Sequence, residues 1–271
     1  MNKHKRNYYI VIFMIAAAII ATMSFHFNSK ATTETADAEY KYANEGIPVL
    51  MYHSIGKKNL NPMIIPTDKF SEQMKFLKEN DYTTLTLDEV YNFFAGNIKV
   101  PKKSVVITFD DGYVDNYTNA YPILKKYKFN ATIFLISDAV DKGNAYINSQ
   151  QIKEMCQNGI QIESHTTNHC KLSHFNYDEQ FKNLNESKEA IEKISGKKVK
   201  YLAYPYGKYN EDTIKAAQNA GYLMAFKADP TGKWAYKSSG MYTLERIYVN
   251  RFFSIKQYKD RISNPEFNLI D

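Results

Sequence analysis

From residue 47 onward, short apolar runs alternate with longer segments whose apolar residues recur every three or four positions. Runs rich in β-branched and aromatic residues are typical of strands, and the longer period is typical of helices that pack by one face. Strands are predicted at residues 47–52, 104–109, 131–136, 160–163, 199–203, 222–227 and 242–250. Helices are predicted at residues 67–80, 86–95, 114–128, 149–157, 177–194, 210–220 and 254–262.

This alternation predicts an α/β fold with a mainly parallel sheet, because each helix can carry the chain back to the start of the next strand. About seven such units in one domain favour a barrel over an open sheet. No repeat, low-complexity tract or second change of composition interrupts residues 45–271, which are predicted to form a single domain.

The N-terminal region has a different pattern. Residues 7–29 contain no Asp, Glu, Lys or Arg, and three basic residues precede them. Such a run is close to the length of a membrane-spanning helix, and its positive flank predicts that the remaining chain lies outside. Residues 1–28 are therefore predicted to be a signal-anchor or transmembrane helix, and residues 29–44 a polar linker. A cleaved signal peptide is the alternative, although its only small-x-small site, residues 36–38, lies far beyond the apolar run.

Charge and cysteine content add two expectations. The formal net charge is +6, but four of the cations lie in the first thirty residues, where there is no acid, so the remainder carries +2. Without a basic stripe, the chain is predicted to bind no nucleic acid. The two cysteines, Cys156 and Cys170, lie in unlike surroundings and are predicted to be free thiols.

Polar side chains capable of chemistry recur where predicted strands end. His53 follows the first strand, Asp110 and Asp111 follow the second, and His165 and His169 follow the fourth. In a parallel barrel these strand ends meet on one face, which is where catalytic groups lie. Scattered core histidines would not be expected to return to this location repeatedly, so the pattern predicts one functional site.

The residue types at these strand ends are suited to a metal. Two adjacent carboxylates repel each other, and a nearby cation or proton relieves that repulsion. The His-x-x-x-His spacing predicts two imidazoles one helical turn apart, and one added carboxylate completes a site for Zn²⁺, with Co²⁺, Ni²⁺ or Fe²⁺ as alternatives. A helix cap and a polar surface helix are the other interpretations of the two motifs. The occurrence of both motifs in one chain favours the interpretation as a metal site.

Three ordered segments carry a family resemblance: Thr108-Phe109-Asp110-Asp111-Gly112, Ser164-His165-Thr166-Thr167-Asn168-His169, and Ala203-Tyr204-Pro205-Tyr206-Gly207. They resemble the motifs of the polysaccharide deacetylases (carbohydrate esterase family 4, the NodB-homology domain). The resemblance covers residues 47–262. It implies a distorted (β/α)₇ barrel and metal-dependent removal of acetyl groups from sugar polymers, usually those of N-acetylglucosamine.

The resemblance also implies roles for individual residues. Carried over by position, the metal ligands would be Asp111, His165 and His169, with Zn²⁺ as the expected metal. Asp110 would be the general base that takes a proton from water. The backbone N–H of Tyr206 would help to bind the oxyanion.

Two features of the family are missing from this chain. No histidine follows His174, so the Leu-x-His motif that usually supplies the general acid is absent, and Ala203 stands where the third motif usually begins with Arg. In both departures the chain resembles the branch of the family that deacetylates the poly-N-acetylglucosamine exopolysaccharide of biofilms. The segment Leu50-Met51-Tyr52-His53-Ser54 also fits the pattern of that branch. The resemblance therefore implies that His53 is the general acid, and a hydrogen-bonded loop histidine is the alternative.

Arg246 is the candidate to replace the missing arginine. It would orient Asp110, although an ion pair with Glu245 or another acid is an equally good interpretation of the sequence.

The expected function is that of a metal-dependent hydrolase that removes N-acetyl groups from a cell-surface N-acetylglucosamine polymer. Poly-β-1,6-N-acetylglucosamine is the favoured substrate, and peptidoglycan comes next. The enzyme would be a monomer on the extracellular face of the plasma membrane, or secreted if the N-terminal segment is cleaved. The alternatives are a non-catalytic carbohydrate-binding protein on the same fold, and a metal phosphodiesterase, for which the chain offers no Gly-rich phosphate cradle.

Overall fold

The structure is a computed structural model that describes residues 39–57, 60–228 and 232–267. The described residues from Tyr42 onward form one structural unit, which contains the central sheet, the α-helices and the candidate site. The predicted strands and helices occur in the predicted order, and short strands that were not predicted lie before or between them: Tyr40–Lys41, Ser54–Gly56, Ile64–Pro66, Thr83–Thr84 and Val100–Pro101.

The strands are β1 (Tyr40–Lys41), β2 (Val49–Tyr52), β3 (Ser54–Gly56), β4 (Ile64–Pro66), β5 (Thr83–Thr84), β6 (Val100–Pro101), β7 (Ser104–Asp111), β8 (Ala131–Leu135), β9 (Ile160–Ser164), β10 (Tyr201–Ala203), β11 (Met224–Phe226) and β12 (Ile247–Tyr248). The α-helices are α1 (Thr67–Glu79), α2 (Leu87–Ala95), α3 (Tyr121–Tyr127), α4 (Ser149–Cys156), α5 (Tyr177–Ser195), α6 (Glu211–Asn219) and α7 (Ile255–Ser263).

The predicted anchor at residues 1–28 lies outside the described residues, as does most of the predicted linker at residues 29–44. Within the three described ranges, the helices are too short or too polar to cross a membrane.

The central sheet is parallel and has the strand order β11-β10-β9-β8-β7-β2-β12, with β5 added beside the start of β7. Its two edges are linked, because Leu244, which precedes β12, forms a parallel bridge with Phe226 of β11. The sheet is therefore curled rather than flat. The predicted α/β class with a parallel sheet is confirmed.

Strand β7 shows how the core is divided between the two faces of the sheet. Val105, Ile107 and Phe109 pack in a cluster with the buried faces of α1 and α3. Val106 points the other way, into a cluster inside the curl that includes Phe134. Because successive side chains of a strand point to opposite faces, the even-numbered residues of β7 face the interior of the curled sheet.

Several predicted elements have different boundaries in the structure. The last strand, predicted at residues 242–250, is only Ile247–Tyr248, since these residues alone continue the ladder onto β2. The helix predicted at residues 114–128 contains a π-helical turn, Asn116–Ala120, before α3. A π-helical turn is rare and occurs often at functional sites.

Five of the seven α-helices named above begin at side-chain caps that satisfy first-turn N–H groups. The predicted capping box of α2 is present: Thr86 Oγ1 accepts from the Glu89 N–H at 3.2 Å, and the Glu89 carboxylate accepts from the Thr86 N–H at 2.8 Å. Reciprocal bonds of this kind fix where a helix starts. The same arrangement starts four other helices, with Asn148, Asn176, Asn210 and Ser254 as caps.

Candidate active site

A pocket of about 470 Å³ lies where the carboxyl ends of the sheet strands meet. Six of the seven predicted site residues line it, and the remaining one, Arg246, is buried beneath and contacts Asp110. The pocket is lined by Met51, His53, Met63, Asp110, Asp111, Tyr113, His165, His169, Tyr204, Tyr206, Ala228 and Tyr248. The structure therefore brings together side chains that are far apart in sequence.

The two aspartates belong to β7 itself, which the prediction ended at residue 109. The strand continues because Asp110 and Asp111 pair with the last residues of β8. Strand alternation would send the two side chains to opposite faces. Asp111 breaks this alternation with a left-handed backbone (φ 72°), a conformation that Asp tolerates better than most residues. Both carboxylates consequently line the same pocket.

Gly112 makes the sharp exit after the aspartates possible. Its φ is also positive, at 78°, and a Cβ at this position would lie 2.4 Å from the side chain of Leu135. Only glycine avoids both the conformational cost and the contact. The Asp-Asp-Gly sequence therefore follows from the geometry of this turn.

Asp110 forms a bidentate ion pair with Arg246. The two Nη atoms lie 2.7 Å from the two carboxylate oxygens, and Nη1 also donates to Thr108 Oγ1 at 3.3 Å. Burial by itself raises the pKa of Asp110, but the guanidinium outweighs it and holds that pKa well below its ordinary value. Asp110 is therefore a buried carboxylate that stays ionised. Glu245, the alternative partner of Arg246, instead pairs with Lys227 at 3.2 Å.

The two histidines do not lie on a helix, so the prediction of imidazoles one helical turn apart is wrong. The segment after β9 is a turn, in which Thr166 and His169 have left-handed backbones with φ values of 70° and 57°. The turn folds His169 back toward His165, and their ring centroids lie 5.0 Å apart. The side chains converge as expected, but through a different backbone.

The atoms of Asp111, His165 and His169 are spaced as metal ligands are. Asp111 Oδ1 lies 3.6 Å from His165 Nε2 and 3.4 Å from His169 Nε2, too far for strong hydrogen bonds. Two atoms bound about 2.1 Å from a tetrahedral ion lie about 3.4 Å apart. Asp111 Oδ1 is buried without a hydrogen-bond partner among the described residues, and burial raises the pKa of this carboxyl to about 6. A divalent cation fits this donor set.

Outer contacts orient both imidazoles. His165 Nδ1 donates to the carbonyl oxygen of Ala203 at 2.7 Å, so the lone pair of the neutral ring is on Nε2, which faces Asp111. Burial lowers the pKa of His165 to about 4, which keeps the ring neutral. His169 Nδ1 forms a 3.1 Å hydrogen bond with the hydroxyl of Tyr206. Such contacts fix the tautomer and the ring direction of metal-binding histidines.

His53 lies at the exit of β2 and lines the same pocket. Its carbonyl oxygen accepts from Asn116 Nδ2 at 2.7 Å, and Asp115 holds the next two residues through Ser54 Oγ and the Ile55 N–H. The π-helical turn thus fixes the position of His53. Its Nδ1 is buried without a hydrogen-bond partner among the described residues, and burial lowers the pKa of the ring.

Tyr206 lies in the short turn Pro205–Gly207 that follows β10, and it has a left-handed backbone with φ 58°. Its ring packs edge-on against His169 at 4.6 Å between centroids and is 56% exposed. The residue is therefore at the mouth of the pocket, beside the histidine cluster.

Comparison with known proteins identifies the family. The sequence profile described as polysaccharide deacetylase matches residues 97–225. The chain is 40% identical over 204 residues to the protein YxkH of Bacillus subtilis (strain 168), covering 75% of this chain and 71% of that one. It is 30% identical over 275 residues to the poly-β-1,6-N-acetyl-D-glucosamine N-deacetylase of Staphylococcus aureus (strain MSSA476), covering 92% and 93%. The chain belongs to the polysaccharide deacetylase family.

A solved structure supports the same assignment. The deacetylase PplD of Streptococcus pyogenes, in complex with acetate, superposes with a TM-score of 0.77 and 32% identity. The superposition covers 81% of this chain and 99% of that one. The fold of this polysaccharide deacetylase is therefore shared with that deacetylase.

Sequence reasoning missed several residues that line the pocket of the deacetylase. Tyr113 and Tyr204 carried a signal, since the first directly follows the Asp-Asp-Gly motif and the second lies inside the third motif. Met63 and Tyr248 reach the pocket from the loop that follows β3 and from β12. Apolar lining residues have no sequence signature that separates them from core residues.

Proposed function

We propose that this polysaccharide deacetylase is a metal-dependent hydrolase that removes N-acetyl groups from poly-β-1,6-N-acetylglucosamine, on a distorted (β/α)₇ barrel. The observation that carries the proposal is one pocket lined by three groups of residues: the Arg246-paired Asp110, the Asp111-His165-His169 cluster, and His53. The similarity to the Staphylococcus aureus enzyme over nearly the whole of both chains supports this choice of polymer.

The metal ligands in this proposal are Asp111, His165 and His169, with Zn²⁺ as the expected ion. When bound, a divalent metal polarises an acyl oxygen and lowers the pKa of water. The donor set of one carboxylate and two neutral imidazoles suits Zn²⁺ and is also compatible with Co²⁺, Ni²⁺ or Fe²⁺.

Asp110 is the general base in the proposed reaction. Because Arg246 keeps it ionised, it is ready to accept a proton from the attacking water over the whole physiological pH range. Arg246 also holds both carboxylate oxygens and so fixes the direction in which Asp110 presents its lone pairs. Arg246 therefore acts through Asp110, as the missing arginine of the third motif would.

Tyr206 and His53 would carry out the two remaining steps, which are binding of the oxyanion and protonation of the leaving amine. The backbone N–H of Tyr206 donates to the oxyanion that forms when water attacks the acetyl carbonyl. His53 gives a proton to the leaving amine. Its Nδ1 is buried, without a hydrogen-bond partner among the described residues, and so cannot reach the substrate. The nitrogen that donates the proton in this proposal is therefore Nε2.

Acetate release tests the proposed activity. The purified protein is incubated with β-1,6-linked and β-1,4-linked N-acetylglucosamine oligomers, with chelator and after addition of Zn²⁺, Co²⁺ or Ni²⁺. We expect metal-dependent acetate from the β-1,6 oligomers. Release from the β-1,4 oligomers alone would identify a peptidoglycan-like substrate, and no release from folded, metal-loaded protein would favour a carbohydrate-binding role.

The proposal extends to location and organisation. Residues 1–28 would anchor a monomeric enzyme to the extracellular face of the plasma membrane, residues 29–44 would be a linker, and residues 45–271 would form the catalytic domain. The uncharged apolar run and its positive flank support this arrangement. Protease treatment of intact cells tests it, because an external domain is digested while cytoplasmic proteins are protected.

A further inference from the structure

Helix α5 holds the turn between the two histidines through the side chain of Asn183. Asn183 Oδ1 accepts from the Thr167 N–H at 3.1 Å, and Nδ2 donates to Thr167 Oγ1 at 2.6 Å. Nδ2 also lies 3.3 Å from Asn168 Oδ1 and 3.5 Å from Cys170 Sγ. One amide on a helix therefore contacts three residues of the histidine turn.

Ser187, one helical turn further along α5, makes a second contact with the same segment. Its hydroxyl forms a 2.8 Å hydrogen bond with the Ser164 hydroxyl, which in turn accepts from the Thr166 N–H at 3.2 Å. Both serines are fully buried. Because residues four apart lie on the same helix face, Asn183 and Ser187 form one polar strip directed at the turn.

The turn needs such support because its backbone is unfavourable by itself. Thr166 and His169 both have positive φ, and this conformation is especially unfavourable for a β-branched residue such as Thr166. Strained backbone of this kind persists only where surrounding contacts hold it in place. The positive φ of His169 also sets the direction of its side chain, so a relaxed turn would separate the two imidazoles.

We propose that Asn183 and Ser187 are positioning residues that keep His165 and His169 at the spacing a metal ion requires. They are not among the residues that line the active-site pocket, and they act through the turn. This inference rests on the proposed role of the two histidines as metal ligands. Partners that orient metal ligands typically contribute about 10-fold to 100-fold to metal affinity.

Zn²⁺ affinity of the whole protein tests the proposal. The dissociation constant for Zn²⁺ alone is measured by competition with a chromophoric chelator in wild type, Asn183→Ala, Ser187→Ala and Asn185→Ala. Asn185 is the matched control, since it is also an asparagine of α5 but its amide donates to Glu189 at 2.7 Å. We expect about 10-fold weaker binding or more for Asn183→Ala, a smaller loss for Ser187→Ala and no change for Asn185→Ala.

Circular dichroism in chelator shows whether each metal-free variant is folded. A general loss of stability would lower the melting temperature without changing the affinity of the folded fraction, whereas a positioning role lowers the affinity. If Asn183→Ala does not fold, Asn183→Asp replaces it, because it keeps an acceptor for Thr167 and loses the amide donors. Wild-type affinity in the folded variant at residue 183 and in Ser187→Ala would overturn the inference. Wild-type protein that binds no Zn²⁺ would instead refute the metal site.

Discussion

Replacing Arg246 by Met tests the ion pair beneath the pocket. The two side chains are 0% and 4% exposed, and the bidentate contact has N–O distances of 2.7 Å. Methionine fills much of the same space but leaves Asp110 buried without its cation. Removing one partner of a buried pair typically costs about 3–5 kcal/mol. We therefore expect the free energy of unfolding near neutral pH to fall by about that amount.

The loss of stability caused by Arg246→Met should depend on pH in a defined direction. In the wild type the folded-state pKa of Asp110 lies well below its ordinary value. The contribution of ionised Asp110 to the free energy of unfolding is therefore fully present above its unfolded-state pKa of about 3.9. It is lost as pH falls through its folded-state pKa. Without Arg246, burial raises the folded-state pKa, so the variant loses stability as pH rises above about 4. The difference between the two proteins should therefore increase as pH rises above about 4.

Urea unfolding in the presence of chelator, at several pH values, measures this difference without a contribution from bound metal. Arg246→Lys is the charge-preserving control, and it should recover part of the loss because it keeps the cation but not the bidentate geometry. Glu245→Gln is the neighbouring control and should cost little, since the Lys227–Glu245 pair is more exposed. A loss below about 1 kcal/mol, or one that is the same at all pH values, would refute the reasoning.

Three further predictions concern the proposed chemistry. Asp110→Asn should abolish acetate release while the Zn²⁺ content measured by mass spectrometry stays at the wild-type level, and full turnover would contradict its role as base. His53→Ala should lower kcat more than it raises KM in steady-state assays, because a proton donor acts in the transition state; a change in KM alone would identify a binding residue. Burial raises the pKa of Asp111 to about 6 in the metal-free protein, and protons compete with the metal for this carboxylate. Zn²⁺ affinity should therefore be constant above about pH 7 and fall below about pH 6, and titrations that show no such dependence would contradict the ligand assignment.

The order of the main strands and helices could be predicted from sequence because each of these elements has its own local periodicity of apolar residues. The capping box at Thr86 and Glu89 is an example, since both partners lie within one helical turn. Strand ends were less predictable, because a strand continues for as long as a neighbour offers hydrogen bonds. Strand β7 runs on through two charged residues that β8 pairs with, and β12 is short because few residues reach β2.

The candidate site was predictable where chemistry and motif coincide, as at Asp111, His165 and His169. The path of the backbone between the histidines was not, because the turn has a left-handed φ at Thr166 and is contacted by Asn183 of α5, which lies far along the chain. Arg246 and Asp110 are 136 residues apart, and the sequence offered Glu245 as an equally good partner. Asn183 resembled any polar residue of an amphipathic helix. Only the fold shows which face of α5 is directed at the turn.

The adjacent carboxylates of Asp110 and Asp111 explain why the proposed site combines two cations of different kinds. Two buried neighbouring carboxylates cannot both ionise without compensation. Arg246 compensates Asp110, whose pKa is held below the ordinary range. Asp111 has no such partner: its Oδ1 lacks a hydrogen bond among the described residues and its pKa is raised. An arginine beside Asp111 would be a permanent charge that blocks the pocket. A metal ion would balance the charge of Asp111 and leave coordination positions open for water and substrate. In the proposed mechanism, the protein therefore supplies the cation for the base Asp110 from its own chain and leaves Asp111 for a metal ion.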